Sequence, residues 1–173
     1  MTDSKTDVAM PKNGFLEFEH IVQVNEPENP SSTDISRAHL WEGLVLRARS
    51  PQRFIEGIEC FTHPQNGDSF VREISAGDSH FYEDVMLEHE SRVLTKTQRD
   101  KPQIHAESEA TIEEPEAGYL FVRFRYRREL PDEHQAVDIA EHLKAAYARL
   151  DNDAIKLIRV MAENDSFTAL VNQ

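Results

Sequence analysis

The sequence predicts an α+β domain, a curved antiparallel sheet of about seven strands wrapped around a long or kinked C-terminal helix. Three observations predict it. Short segments of alternating apolar and polar residues, divided by turn residues, fill the middle of the chain. One amphipathic helical stretch separates the first such segment from the rest. A longer helical stretch follows Pro131.

Residues 1–13 are polar, close on Pro11 and read as a disordered lead-in. From Phe15 the period is two: Phe18, His20, Val22 and Val24 share one side, with Glu17, Glu19 and Gln23 on the other. That pattern is a half-buried strand. Residues 25–33 carry Pro27, Pro30 and several Asn, Ser and Glu, and read as a loop. Asp34 or Ser36 then offers an N-cap for a helix running to about Arg49, with Leu40, Trp41, Leu44 and Val45 at helical spacing. Pro51 ends it.

Strands are expected at 55–62, 69–75, 80–87, 91–98, 103–112 and 119–130, divided by breaks at 64–68, 76–78, 88–90, 100–102 and 113–118. Connections this short make an antiparallel meander. Beyond Pro131, Ala136, Val137, Ala140, Leu143, Ala146 and Tyr147 form one apolar face, continued by Ile155, Leu157, Ile158, Val160 and Met161. Two consecutive helices or one kinked helix are expected, with Asp151 or Asp153 capping the second part. The domain spans 14–164, leaving 165–173 as a C-terminal tail.

Composition bounds the function. With 39% hydrophobic and 29% charged residues, the 173-residue chain can build one globular core. Its 32 acidic and 19 basic residues give a net charge of -13, which disfavours nucleic acid and anionic membranes as partners. No apolar window approaches the roughly 18 residues of a membrane span, and the opening residues lack a signal-peptide core. Cys60 is the one cysteine, so no internal disulfide forms and a cytoplasmic location is expected. Oligomeric state stays open.

Opposed side chains in a sheet share a face, so turn lengths carry one face across the meander. Starting from Leu120, Val122, Phe124 and Tyr126, the inner set continues with Ile104, Ala106, Ser108 and Ala110. It proceeds through Val93, Thr95 and Thr97 to Phe81, Glu83, Val85 and Leu87. Val71 and Glu73 follow, then Ile58, Cys60 and Thr62, while the first strand adds Phe18, His20 and Val22. Arg123, Arg125 and Arg127 fall outside, where charge suggests Glu109 opposite Arg123 and Glu107 opposite Arg125. The small inner residues leave space beneath the C-terminal helix.

Particular segments resemble a known superfamily. They are 18–25 (Phe-Glu-His-Ile-Val-Gln-Val-Asn), 40–44 (Leu-Trp-Glu-Gly-Leu), 51–54 (Pro-Gln-Arg-Phe) and 71–74 (Val-Arg-Glu-Ile). Ala145-Ala146-Tyr147, Asp151 and Ile158-Arg159 complete the set. Together they resemble the START/SRPBCC helix-grip superfamily of hydrophobic-ligand-binding domains, and more narrowly its AtaL-like subgroup. The resemblance implies a helix-grip fold with a pocket for a small, largely apolar molecule. Related groups include polyketide cyclases, lipid carriers and a chaperone-activating domain.

Candidate site residues follow from the inner face. Glu73 and Glu83, paired carboxylates on an apolar side, can supply a general acid or base; either one can equally reach water or bond Arg72, Arg128 or Thr95. His20 is a candidate base or ligand anchor, or an internally satisfied histidine. Phe18, Phe81, Val85, Thr95, Ala106, Ser108, Phe124 and Tyr126 are expected to line the pocket, and Trp41 either packs in the core or stands at its entrance. The histidine spacings match no zinc pair, and the six glycines form no phosphate loop, so neither metal nor cofactor is expected. The expected function is binding of a small hydrophobic or aromatic molecule. The alternatives are a cyclase-, aromatase- or lyase-like enzyme using Glu73, Glu83 or His20, and a protein-interaction module.

Overall fold

The structure, a computed structural model, describes residues 14–63, 68–130 and 136–164. The expected lead-in (1–13), the tail (165–173) and most of the break at 64–68 lie outside the described residues. Seven antiparallel strands form one sheet in the order β1-β7-β6-β5-β4-β3-β2. They are β1 (Phe15–Gln23), β2 (Ile58–His63), β3 (Ser69–Ala76), β4 (Ser79–Glu88), β5 (Arg92–Thr97), β6 (Ala106–Glu113) and β7 (Phe121–Glu129). Helix α1 (Arg37–Arg49) links β1 to a short 3-10 turn at Pro51–Arg53, and α2 (Ala136–Glu163) closes the fold. Among the described residues no helix is long and apolar enough to cross a membrane.

Ser36 caps α1, its side chain accepting from the His39 amide. No cap divides α2, which is one helix in which Asp151 sits at an interior position, fully buried. The expected break at 151–153 is therefore absent. Val160, expected on the apolar face, is half exposed, because it lies about 200° round the helix from the buried Ile158.

The two helices meet where α1 has no side chain. A Cβ on Gly43 would stand 2.4 Å from Ile158 Cγ2, so only glycine permits this approach. Two polar clamps hold the connection between β1 and α1. Asn25, buried, donates to the Ile35 carbonyl and accepts from the Ile35 amide. Arg159 of α2 donates to the carbonyls of Val24 and Thr33. Several residues behind the family resemblance thus fasten the helices over the sheet.

Two details of register differ from expectation. Glu109 lies opposite Arg125 and Glu107 opposite Arg127, two residues from the expected pairing, and Thr111 opposes Arg123. Exposed ion pairs contribute only about 0.2–1 kcal/mol, less than the burial gained by setting Val122 against Ile112 and Phe124 against Ala110. Both arginines nevertheless find carboxylates: Arg123 bonds Glu113 and Glu19, and Arg125 also bonds Glu19. These partners hold the Glu19 carboxyl below its usual range.

The second difference is a change of face. Gly77 and Asp78 alone turn the chain between β3 and β4, with Ala76 opposite Ser79 and Gly77 at a φ of 59°. The sequence reads as a three-residue break at 76–78. The shorter loop reverses the parity of β3, so Phe70, Arg72, Ile74 and Ala76 face inward in place of Val71 and Glu73.

Candidate functional site

On the inner face, side chains stand in rows across the strands. One row runs Leu16, Arg128, Ala106, Thr97, Glu83, Arg72 and Thr62. The next runs Phe18, Tyr126, Ser108, Thr95, Val85 and Phe70. Both rows are small in the middle, at Ala106, Thr97, Ser108 and Thr95. Above them, between Leu44, Arg47 and Ala48 of α1 and Tyr147 and Leu150 of α2, lies a cavity of about 460 Å³. Such a volume suits a small organic molecule. A second depression, about 390 Å³, lies by Leu94, Glu107 and Arg125; its charges are already paired, Lys96 with Glu107 and Arg125 with Glu19.

Seven of the expected pocket residues line this cavity: Phe81, Glu83, Thr95, Ala106, Ser108, Phe124 and Tyr126. The other five do not. Glu73 points to the opposite face and bonds His63 at 3.0 Å, a consequence of the two-residue turn. The Glu73/Glu83 pair is therefore no carboxylate dyad. Glu83 instead binds Arg72, 2.6 Å from its Nε. Val85 is buried in the core, and Trp41 packs there too, edge-on to His89. Phe18 stacks between His20 and Tyr126.

His20 does face inward, but its partner is protein. Its Nε2 lies 2.6 Å from Asp151 Oδ2. Arg47 Nη1 binds Asp151 Oδ1 at 2.8 Å, and the Tyr126 hydroxyl donates to the same carboxylate at 2.7–2.8 Å. Three elements besides α2 thus converge on one fully buried carboxylate. The network behaves as a clamp, satisfying a charge that burial alone would make costly. Tyr126 and Arg47 form the cavity wall, with Asp151 behind them.

Burial and the Asp151 carboxylate push the Tyr126 phenol well above its ordinary value. In the unfolded chain a tyrosine ionises near pH 10. Since the folded value is the higher, the stability gained here is complete below about pH 10 and declines as pH rises further. Tyr126→Phe should therefore be less stable than the parent at pH 8, with a gap that narrows by pH 11. Urea unfolding at both values checks this; a gap of constant size would mean that Tyr126 ionises as freely when folded as when unfolded.

Arg47, Arg128 and the role of Asp151 were missed in the sequence, although each leaves a trace. Asp151 stands four residues from both Tyr147 and Ile155, on the buried stripe of the helix. Arg128 continues the alternation of Val122, Phe124 and Tyr126 by one step, and Arg47 lies three residues past Leu44. In each case a charged residue on an apolar face was the signal. Among the described residues, no group of three or more His, Cys, Asp or Glu is placed to hold a metal ion.

A curved seven-stranded sheet closed by a long helix over an internal cavity defines the helix-grip class. Solved structures agree. The di-domain ARO/CYC StfQ from the steffimycin biosynthetic pathway matches with a TM-score of 0.65 at 10% identity, over 88% of this chain and 52% of that one. The chain thus spans about half the length of StfQ. The Zhui aromatase/cyclase from Streptomyces sp. R1128 matches with a TM-score of 0.57 at 14% identity, over 86% and 94% of the two chains. Truncated norcoclaurine synthase from Thalictrum flavum gives 0.58 at 11%, over 83% and 93%. At these identities the likeness concerns the fold. No curated protein matches the chain. Residues 22–165 match the family described as acetylaranotin biosynthesis cluster protein L, and the chain belongs to this AtaL family.

Proposed function

We propose that this protein binds a small, largely apolar or aromatic molecule in the cavity between sheet and helices. The observation that carries this is the cavity itself, walled by Phe81, Phe124, Ile74 and Leu150 and floored by Ala106, Ser108 and Thr95. Removing apolar ligand surface from water there supplies about 25 cal/mol per Å². Binding without chemistry is further supported by the state of the expected acid/base groups. Glu83 is held by Arg72, His20 by Asp151, and Glu73 lies on the other face.

The variant Ala106→Phe tests it. Phenylalanine at this position fills the cavity floor, so affinity for the neutral fluorophore N-phenyl-1-naphthylamine should fall about tenfold or more, about 1.4 kcal/mol per tenfold. Melting temperature should stay close to the parent's. A parent that binds no fluorophore, with a variant destabilised by the roughly 1–3 kcal/mol of overpacking, would show a filled core and end the proposal.

A second reading, a cyclase- or lyase-like activity on the same ligand, is favoured by one placement: Glu83 and Tyr126 both reach the cavity. Under that reading Glu83→Gln abolishes turnover while the fluorophore still binds.

A further inference from the structure

Among the described residues, one cation of the cavity wall has no carboxylate partner. That wall contains three arginines, Arg47, Arg72 and Arg128. Arg47 is paired with Asp151 and Arg72 with Glu83. Among the described residues Arg128 has no carboxylate partner. Its Nη1 makes a long bond of 3.4 Å to the Tyr147 hydroxyl, and its Nε is buried with no hydrogen-bond partner at all. A buried guanidinium N–H left unmatched is unfavourable unless something completes it.

The position makes a solvent role a poor explanation. Arg128 is on the inner side of β7, opposite Ala106, which offers it no polar side chain. Arg123, Arg125 and Arg127 of the same strand face outward and carry carboxylate partners. The chain as a whole has a net charge of -13, yet the carboxylates bordering this cavity are engaged elsewhere: Glu83 with Arg72, Glu107 with Lys96 and Glu109 with Arg92. Beside it, Tyr126 and Tyr147 stack with ring centroids 4.0 Å apart, an aromatic wall against which a flat ring can lie.

Resting on the reading of the cavity as a ligand site, we propose that the ligand carries an anionic oxygen group, of the carboxylate or enolate kind, which the incompletely bonded Arg128 guanidinium binds at the cavity wall. The Tyr147 hydroxyl, already in contact with the guanidinium, lies beside that group, and the rest of the ligand occupies the apolar wall. A planar guanidinium presents its N–H groups in a fork that suits such an oxyanion.

Two fluorophores of one skeleton test this: neutral N-phenyl-1-naphthylamine and its anionic sulfonate, 8-anilino-1-naphthalenesulfonate. The parent protein should bind the sulfonate about tenfold or more tightly over the neutral compound, in spite of the overall negative charge. Arg128→Met should remove the preference while neutral binding persists, and Arg128→Lys should retain part of it. Arg125→Gln, on the outer face, should leave it unchanged. Equal affinities in the parent, or a preference that survives Arg128→Met, overturn the proposal while leaving the cavity reading intact. Should Arg128→Met fail to fold, the parent's ratio together with Arg128→Lys and Arg125→Gln decides. If the parent binds neither compound, the cavity reading itself fails and the anion site falls with it.

Discussion

Asp151→Ala is expected to destabilise the protein by about 3–5 kcal/mol, the range found when one partner of a buried ion pair is removed. For a chain of this length, that lowers the melting temperature by on the order of 10 °C. The cause is not the lost carboxylate alone. Its removal leaves Arg47, the Tyr126 hydroxyl and His20 without the acceptor on which they converge. Adding Arg47→Met should recover part of the loss, because the orphaned charge disappears with it. Urea unfolding of the two variants and the parent measures both effects. A single-variant loss below about 1 kcal/mol, in the range of a surface pair, would show that water reaches the carboxylate.

Gly43→Ala should be the other severe change, although alanine is the better helix former by about 1 kcal/mol. The new Cβ would meet Ile158 at 2.4 and 2.6 Å from its two γ carbons, and Ile158 is wholly buried. The helices must separate, and overpacking of this kind costs roughly 1–3 kcal/mol, sometimes more. Because α1 and α2 roof the cavity, fluorophore binding should change along with stability. Ile158→Ala in the same chain relieves the contact, so the double variant should be more stable than the sum of the single losses indicates. An alanine variant as stable as the parent would mean that the helices can part without loss.

Much of the architecture was legible because it depends on period and on loop length. The alternation through 15–24 and 119–130, and the helical spacing of Leu40, Trp41 and Leu44, correspond to β1, β7 and α1. The inner set of β1 and of β4 through β7 also follows from alternation, since one strand's face dictates its neighbour's once the turn parity is known. That dependence explains the failure at β3. Gly77 and Asp78 turn the chain in two residues, whereas Ala76-Gly77-Asp78 reads equally well as a three-residue break. That single residue of loop length decides whether Glu73 or Arg72 faces inward.

What the sequence determined by itself was the inner faces of β1 and of β4 through β7, and with them the small residues Ala106, Ser108 and Thr95 that leave room beneath the helix. Those are local properties of alternation and side-chain volume. The partners of the charged groups were decided only by the tertiary structure. Asp151 meets His20 across 131 residues of chain, and nothing within α2 specifies that encounter. It arises because the sheet curves, α2 lies in its concavity, and the missing side chain of Gly43 lets α1 bring Arg47 to the same point. The same closure satisfies Arg47 and, among the described residues, leaves Arg128 without a carboxylate, because charge pairing between distant elements follows three-dimensional proximity, which no spacing along the chain encodes.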